Sequence, residues 1–173
     1  MRKYEYSDEL VNLVKNFLIE DEWYFSFDES IGVFNFELKL QRKIPRINYL
    51  VDIHEEEIIV YGICPIAADS NDANMMARMA EFLCRANFDI LNGCFDFCFR
   101  DGEIRFKSFI DCQNCTPSQE VIKNGIFSTA GMYGYYASGI VDIIFSDCTA
   151  MEAIEKCEKL YKDGDFKFGK YRM

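Results

Sequence analysis

One histidine, three prolines and one tryptophan stand among 173 residues, and each shortage narrows the field. The sole histidine, His54, sits in the acidic turn Glu55-Glu56-Glu57. An exposed turn histidine is usually solvated and makes a poor general base. With one His there is no HExxH pair and no His pair to complete a zinc ribbon, and no GxGxxG or P-loop is present either. No run reaches the roughly 18 apolar residues that span a bilayer. The start, MRKYEYSDELVNLV, lacks the apolar core of a signal peptide, so a cytoplasmic protein is the expectation. Basic surface is scarce as well. The net charge is -10, which leaves nothing to neutralise phosphates or an anionic lipid surface and argues against nucleic-acid and membrane partners. The paired acids Asp28-Glu29 and Glu55-Glu56-Glu57 fall in turns, where charge is expected. No catalytic residue and no cofactor are nominated, and the chain is not expected to be an enzyme.

What is present is apolar and aromatic. Half of the residues are hydrophobic and 16% are aromatic, a composition that folds around a core. Sixteen Phe and ten Tyr beside so few Pro point to sheet. Ser7 as a cap, followed by Leu10, Val11, Val14, Phe17 and Leu18 at helical spacing, predicts a helix over 8–20. Alternation then predicts strands at Phe25–Phe27 and Phe34–Leu40, turned around Asp28-Glu29-Ser30, and a third over Ile47–Ile53. A fourth strand, Ile58–Ile63, is closed by Pro65. Met75, Met76, Met79, Phe82 and Leu83 predict a helix over 72–86 stopped at Asn87. After a hairpin, Thr116-Pro117 reads as a cap with Pro at the first helical position. The helical period there runs over 117–146, and Gly125, Gly131, Gly134 and Gly139 weaken it enough that a bent or interrupted helix is an equal expectation. Thr149 caps a last helix over 150–161, and the tail KDGDFKFGKYRM looks irregular or weakly stranded. The order α-ββββ-α-ββ-α-α predicts one α+β domain, an antiparallel sheet with helices on one face.

Five of the eight cysteines crowd into CRANFDILNGCFDFCFRDGEIRFKSFIDCQNC, residues 84–115. Asp101-Gly102 is a strong hairpin signal. A two-residue loop there would set Arg100 against Glu103, Phe99 against Ile104, Phe97 against Phe106 and Asp96 against Lys107, like facing like in polarity. Cys94, Asp96 and Cys98 then share the polar face with Arg105 and Lys107. Cys94 and Cys98 would be about 13 Å apart, too far for a disulfide, and Cys112 would turn to the other face. The Cys112-Gln113-Asn114-Cys115 motif keeps a redox or metal reading open, because Cys115 precedes a helix start. Incidental thiols in a reducing compartment are the stronger expectation.

Several of these segments resemble a known family. VYGICP at 60–65, the helix end Asn87-Phe88, Gly93-Cys94-Phe95, the Asp101-Gly102-Glu103 hairpin and the long helix over 117–146 are similar to the YbjN-like family, described as candidate regulators of bacterial sensory transduction. The resemblance covers about residues 7–147. It implies the type III secretion chaperone-like fold and brings no catalytic residues. The cysteine content, the glycine-rich third helix, and the final helix and tail over 148–173 depart from the pattern. With the acidic charge, it implies a non-catalytic protein-binding module, chaperone-like or regulatory, with an unidentified protein partner and a homodimer among the options. Its binding surface is expected on the polar sheet face at Arg105, Lys107 and Phe109, or in a groove at Met75, Met76 and Met79, although a Met stripe is more often core. The alternative is a thiol redox or metal protein using Cys112 and Cys115.

Overall fold

The computed structural model describes residues 3–40 and 43–162. Ser7 Oγ accepts from Leu10 N at 3.3 Å and opens helix α1, Asp8–Glu20. Four antiparallel strands follow: β1 (Phe25–Asp28), β2 (Val33–Lys39), β3 (Arg46–Ile53) and β4 (Glu57–Ile63). Asp72 caps α2 (Ala73–Phe88) by accepting from Asn74 and Met75. The hairpin strands β5 (Cys94–Phe97) and β6 (Ile104–Asp111), then α3 (Gln119–Phe145) and α4 (Ala150–Lys162), complete the chain. The strands form one antiparallel sheet in the order β1-β2-β3-β4-β6-β5. The α+β class and the order of elements are those expected. The tail from Asp163 lies outside the described residues.

Burial alternates along the strands, so one sheet face carries the core. Phe34, Phe36, Ile47, Tyr49, Val51, Ile58, Val60, Ile104 and Phe106 are all buried there. Helix α3 crosses that face and is anchored by tyrosines. Tyr49 Oη donates to Ile126 O at 2.8 Å, and Tyr133 Oη donates to Gly62 O at 2.8 Å. Two glycines set how closely it lies. A Cβ on Gly62 would collide with the Thr129 methyl group, and one on Gly125 would come 3.2 Å from Ile110 Cδ1. On the outer side of α3, Gly139 lies under the ring of Phe82 from α2 and beside Cys157 from α4. Thus α3 is sandwiched between the sheet and two further helices, and it runs 27 residues without interruption. Two of the four glycines that weaken its propensity, Gly125 and Gly139, are where neighbours approach, so packing outweighs about 1 kcal/mol of propensity at each of these two.

Three local expectations are corrected. The β5–β6 turn has a four-residue loop, Phe99–Gly102: Cys98 N donates to Glu103 O and Gly102 N to Cys98 O. Pairing shifts by two residues, so that Cys94 faces Lys107, Phe95 faces Phe106, Asp96 faces Arg105 and Phe97 faces Ile104. Gly102 enables this by taking φ +73, closed against the backbone of Ala68 with no room for a Cβ. Because the shift is even, every side chain keeps its face, but Phe99 leaves the ladder and is exposed. Second, α3 is capped by Ser118, whose Oγ accepts from Val121 N, while the Thr116 hydroxyl is bonded to Glu9. Third, α2 passes Asn87 to end at Phe88, because the Asn87 amide is engaged with β5. The methionine stripe is core, the reading its spacing favoured, with Met76 and Met79 buried.

Candidate functional site

The second face of the sheet carries no helix among the described residues, and its side chains alternate with the core ones. Three cross-strand rows run over it. The first is Val33, Asp52, Ile59, Phe109; the second is Asn35, Leu50, Tyr61, Lys107, Cys94; the third is Glu37, Asn48, Ile63, Arg105, Asp96. The middle of this face is therefore apolar, made of Leu50, Ile59, Tyr61, Ile63 and Phe109. Phe109, on β6 beyond its pairing with β5, is 49% exposed. The polar rim contains all the charged groups.

Arg105 and Lys107, expected on this face, are on it and are organised by Asp96. Arg105 Nε lies 3.3 Å and Lys107 Nζ 3.5 Å from the same Asp96 oxygen, Oδ2. The Arg105 guanidinium also sits 4.7 Å from the centre of the Tyr61 ring, a cation–π contact that restrains it. Two cations on one carboxylate leave a local positive excess at the border of the apolar centre, on a chain of net charge -10. At the other border His54 Nε2 lies 3.4 Å from Asp52 Oδ2. Desolvation pushes the Asp52 carboxyl up, with His54 pulling it back. Cys94 Sγ is 3.7 Å from Asp96 Oδ1, and desolvation, then that carboxylate, push the Cys94 thiol up.

Sequence periodicity alone placed Arg105, Lys107 and Phe109 together, and it passed over Leu50, Ile59, Tyr61 and Ile63. A signal for them was present. The run Ile58-Ile59-Val60-Tyr61-Gly62-Ile63 is apolar at both parities, which marks a strand that meets apolar surroundings on both faces.

Cys112 and Cys115 lie elsewhere, in a turn after β6. Cys115 N donates to Cys112 O at 3.2 Å, and Asn114 takes φ +57. Cys112 is buried and Cys115 exposed. Burial, then the charges of Cys115 and Asp111, push the Cys112 thiol up to about 11. A redox CxxC needs the opposite shift, because the thiolate is the reactive form. The α3 cap is Ser118, so Cys115 is not at the helix N-terminus as the sequence suggested. Among the described residues no three His, Cys, Asp or Glu side chains converge as a metal site would require. No helix among them is long and apolar enough to cross a membrane.

No family model matches the chain, and no curated protein matches it either. Among solved structures, the chain is similar to the crystal structure of YbjN from E. coli, described as a candidate transcription regulator. The two share 8% identity at a TM-score of 0.49, over 86% of this chain and 92% of that one.

Proposed function

We propose that this chain is a non-catalytic protein-binding module that receives its partner on the open sheet face, at Arg105, Lys107 and Phe109. The observation that carries the reading is Phe109, half exposed on β6 past the end of its pairing with β5, opposite Ile59 and diagonal to Tyr61. An apolar centre with a polar rim is the ordinary layout of a protein interface. A half-exposed large aromatic on that patch, with a restrained arginine four residues away on the same strand face, has the chemistry of a binding hot spot. The partner surface that fits is apolar with an acidic border, able to exchange Asp96 for its own carboxylates at Arg105 and Lys107. The sequence resemblance to YbjN-like regulators agrees with a regulatory or chaperone-like role for such a module.

The test compares affinity enrichment from native extract using wild-type and Phe109→Asp baits, with unfolding curves for both. A partner held by wild type and lost by a stably folded Phe109→Asp protein supports the reading. Equal retention by both baits contradicts it.

A further inference from the structure

The two edges of the sheet are treated differently. At the β5 edge, Asn87 clamps the strand: its Oδ1 accepts from Phe95 N at 2.7 Å and its Nδ2 donates to Phe95 O at 2.9 Å. Both outward backbone groups of Phe95 are thereby used, and an incoming strand is blocked there. At the β1 edge no such clamp exists among the described residues. Gly32 N donates to Asp28 O at 2.9 Å in the β1–β2 turn, so Asp28 points toward β2. The alternation of an antiparallel ladder then turns Ser26 inward and sends the N–H and C=O of Phe25 and Phe27 outward. Beside this edge is a cleft of about 960 Å³ lined by Val11, Asn12 and Lys15 of α1 and by Ser26–Ser30.

We propose that two copies of this chain join at this edge, β1 antiparallel to β1 about a two-fold axis through Ser26, giving one continuous twelve-stranded sheet. This surface is separate from the open face, and the proposal stands or falls independently of it. In this register Phe25 of one copy and Phe27 of the other form bonded pairs on both sides of the axis, and every outward group of Phe25 and Phe27 is satisfied. On the core side the pairs are aromatic against aromatic. They extend the cluster in which Phe25 and Phe27 already meet Phe34, with ring centres 5.7 and 4.4 Å apart. On the other side Ser26 meets Ser26, small and uncharged, and Tyr24 meets Asp28. No like charges oppose. Tyr24, 97% exposed next to the edge, gains a partner. A second copy fits better than a foreign peptide because the edge offers only two outward residues. A flexible peptide would pay its ordering cost for four backbone bonds, whereas a second β1 is already ordered and brings the surface around it.

The test is sedimentation of the full chain across protein and salt concentrations. A dimer is expected, and it should tighten with salt, because two copies of charge -10 repel until screened. Opposed residues in a non-bonded antiparallel pair have Cα atoms about 4.5 Å apart, within disulfide range. Ser26→Cys should therefore give a covalent dimer linked at position 26 on mild oxidation with diamide, with wild type as the control for native thiols. Ser26→Glu and Ser26→Lys should each weaken the dimer by up to about fivefold, and mixing the two should restore it. A wild type that stays monomeric up to its solubility limit overturns the proposal. So does a dimer indifferent to charge at position 26.

Discussion

Replacing Gly139 by Ala sets two effects of known sign against each other. Gly139 lies in the middle of α3, and an alanine in a helix interior is worth about 1 kcal/mol over glycine. On propensity alone the protein would gain stability. The new Cβ, however, would overlap two ring carbons of Phe82 and lie 3.1 Å from Cys157 Sγ. Phe82 has no exposed surface and is held edge-on by Tyr136, with ring centres 6.1 Å apart. Its ring cannot swing aside without separating α2 from α3. Overpacking a filled core costs about 1–3 kcal/mol, sometimes more. With the propensity gain subtracted, Gly139→Ala should destabilise by up to about 2 kcal/mol. For a domain of this size that lowers Tm by up to about 8 °C, read by thermal and urea unfolding. The cause is separable by a double-mutant cycle with Phe82→Leu, which removes the obstructing ring. The pair should be less destabilised than the sum of the singles by about 1 kcal/mol. A higher Tm for Gly139→Ala, or strict additivity with Phe82→Leu, would refute the sandwiched position of α3.

Three further outcomes are expected. Native-state alkylation mapped by mass spectrometry should modify Cys84 and Cys115, which are exposed, well before Cys64, Cys112 and Cys157, which are buried; Cys112 reacting as fast as Cys115 would revive a redox role for the pair. Burial pushes the Cys64 thiol from 9.0 up to about 11, a raised folded-state pKa. Its contribution is complete below about pH 9 and is lost as pH rises through about 11, on the order of 2–3 kcal/mol. Urea midpoints across pH 8–11 should fall, and Cys64→Ala should flatten the fall; an unchanged slope would contradict it. Asn87→Ala leaves both Phe95 backbone groups unpaired at the sheet edge and should cost about 1–3 kcal/mol, with amide exchange at Phe95 accelerated more than in β3; unaltered exchange there would contradict the clamp.

Most of the architecture was legible because it rests on period. The alternation through β2 and β3 and the stripe in α1 each allow a single buried face. The errors came where a local signal was read without its tertiary neighbour. Asp101-Gly102 reads as a two-residue turn, yet Gly102 is needed against Ala68 and the loop widens. Thr116 reads as a cap, yet its hydroxyl is spent on Glu9 and Ser118 takes the position. Asn87 reads as a helix stop, yet its amide holds the edge of β5. The glycines of α3 looked like breaks because the helices that touch Gly139 are distant in sequence. The open face was half legible. Hairpin parity placed Arg105, Lys107 and Phe109 on one side, but the apolar centre they border comes from β3 and β4, whose order beside β6 no periodicity reveals.

The most direct measurement on the binding role of the open face is calorimetric titration of the purified enriched partner against wild type, Phe109→Asp and Arg105→Glu. Removing an interface hot spot costs about 2 kcal/mol or more, so Phe109→Asp should weaken Kd by at least about thirtyfold while its Tm stays within a few degrees of wild type. Arg105→Glu should weaken binding too, most at low salt. A Kd for Phe109→Asp within twofold of wild type would show that the partner binds elsewhere and would contradict the role assigned to this face.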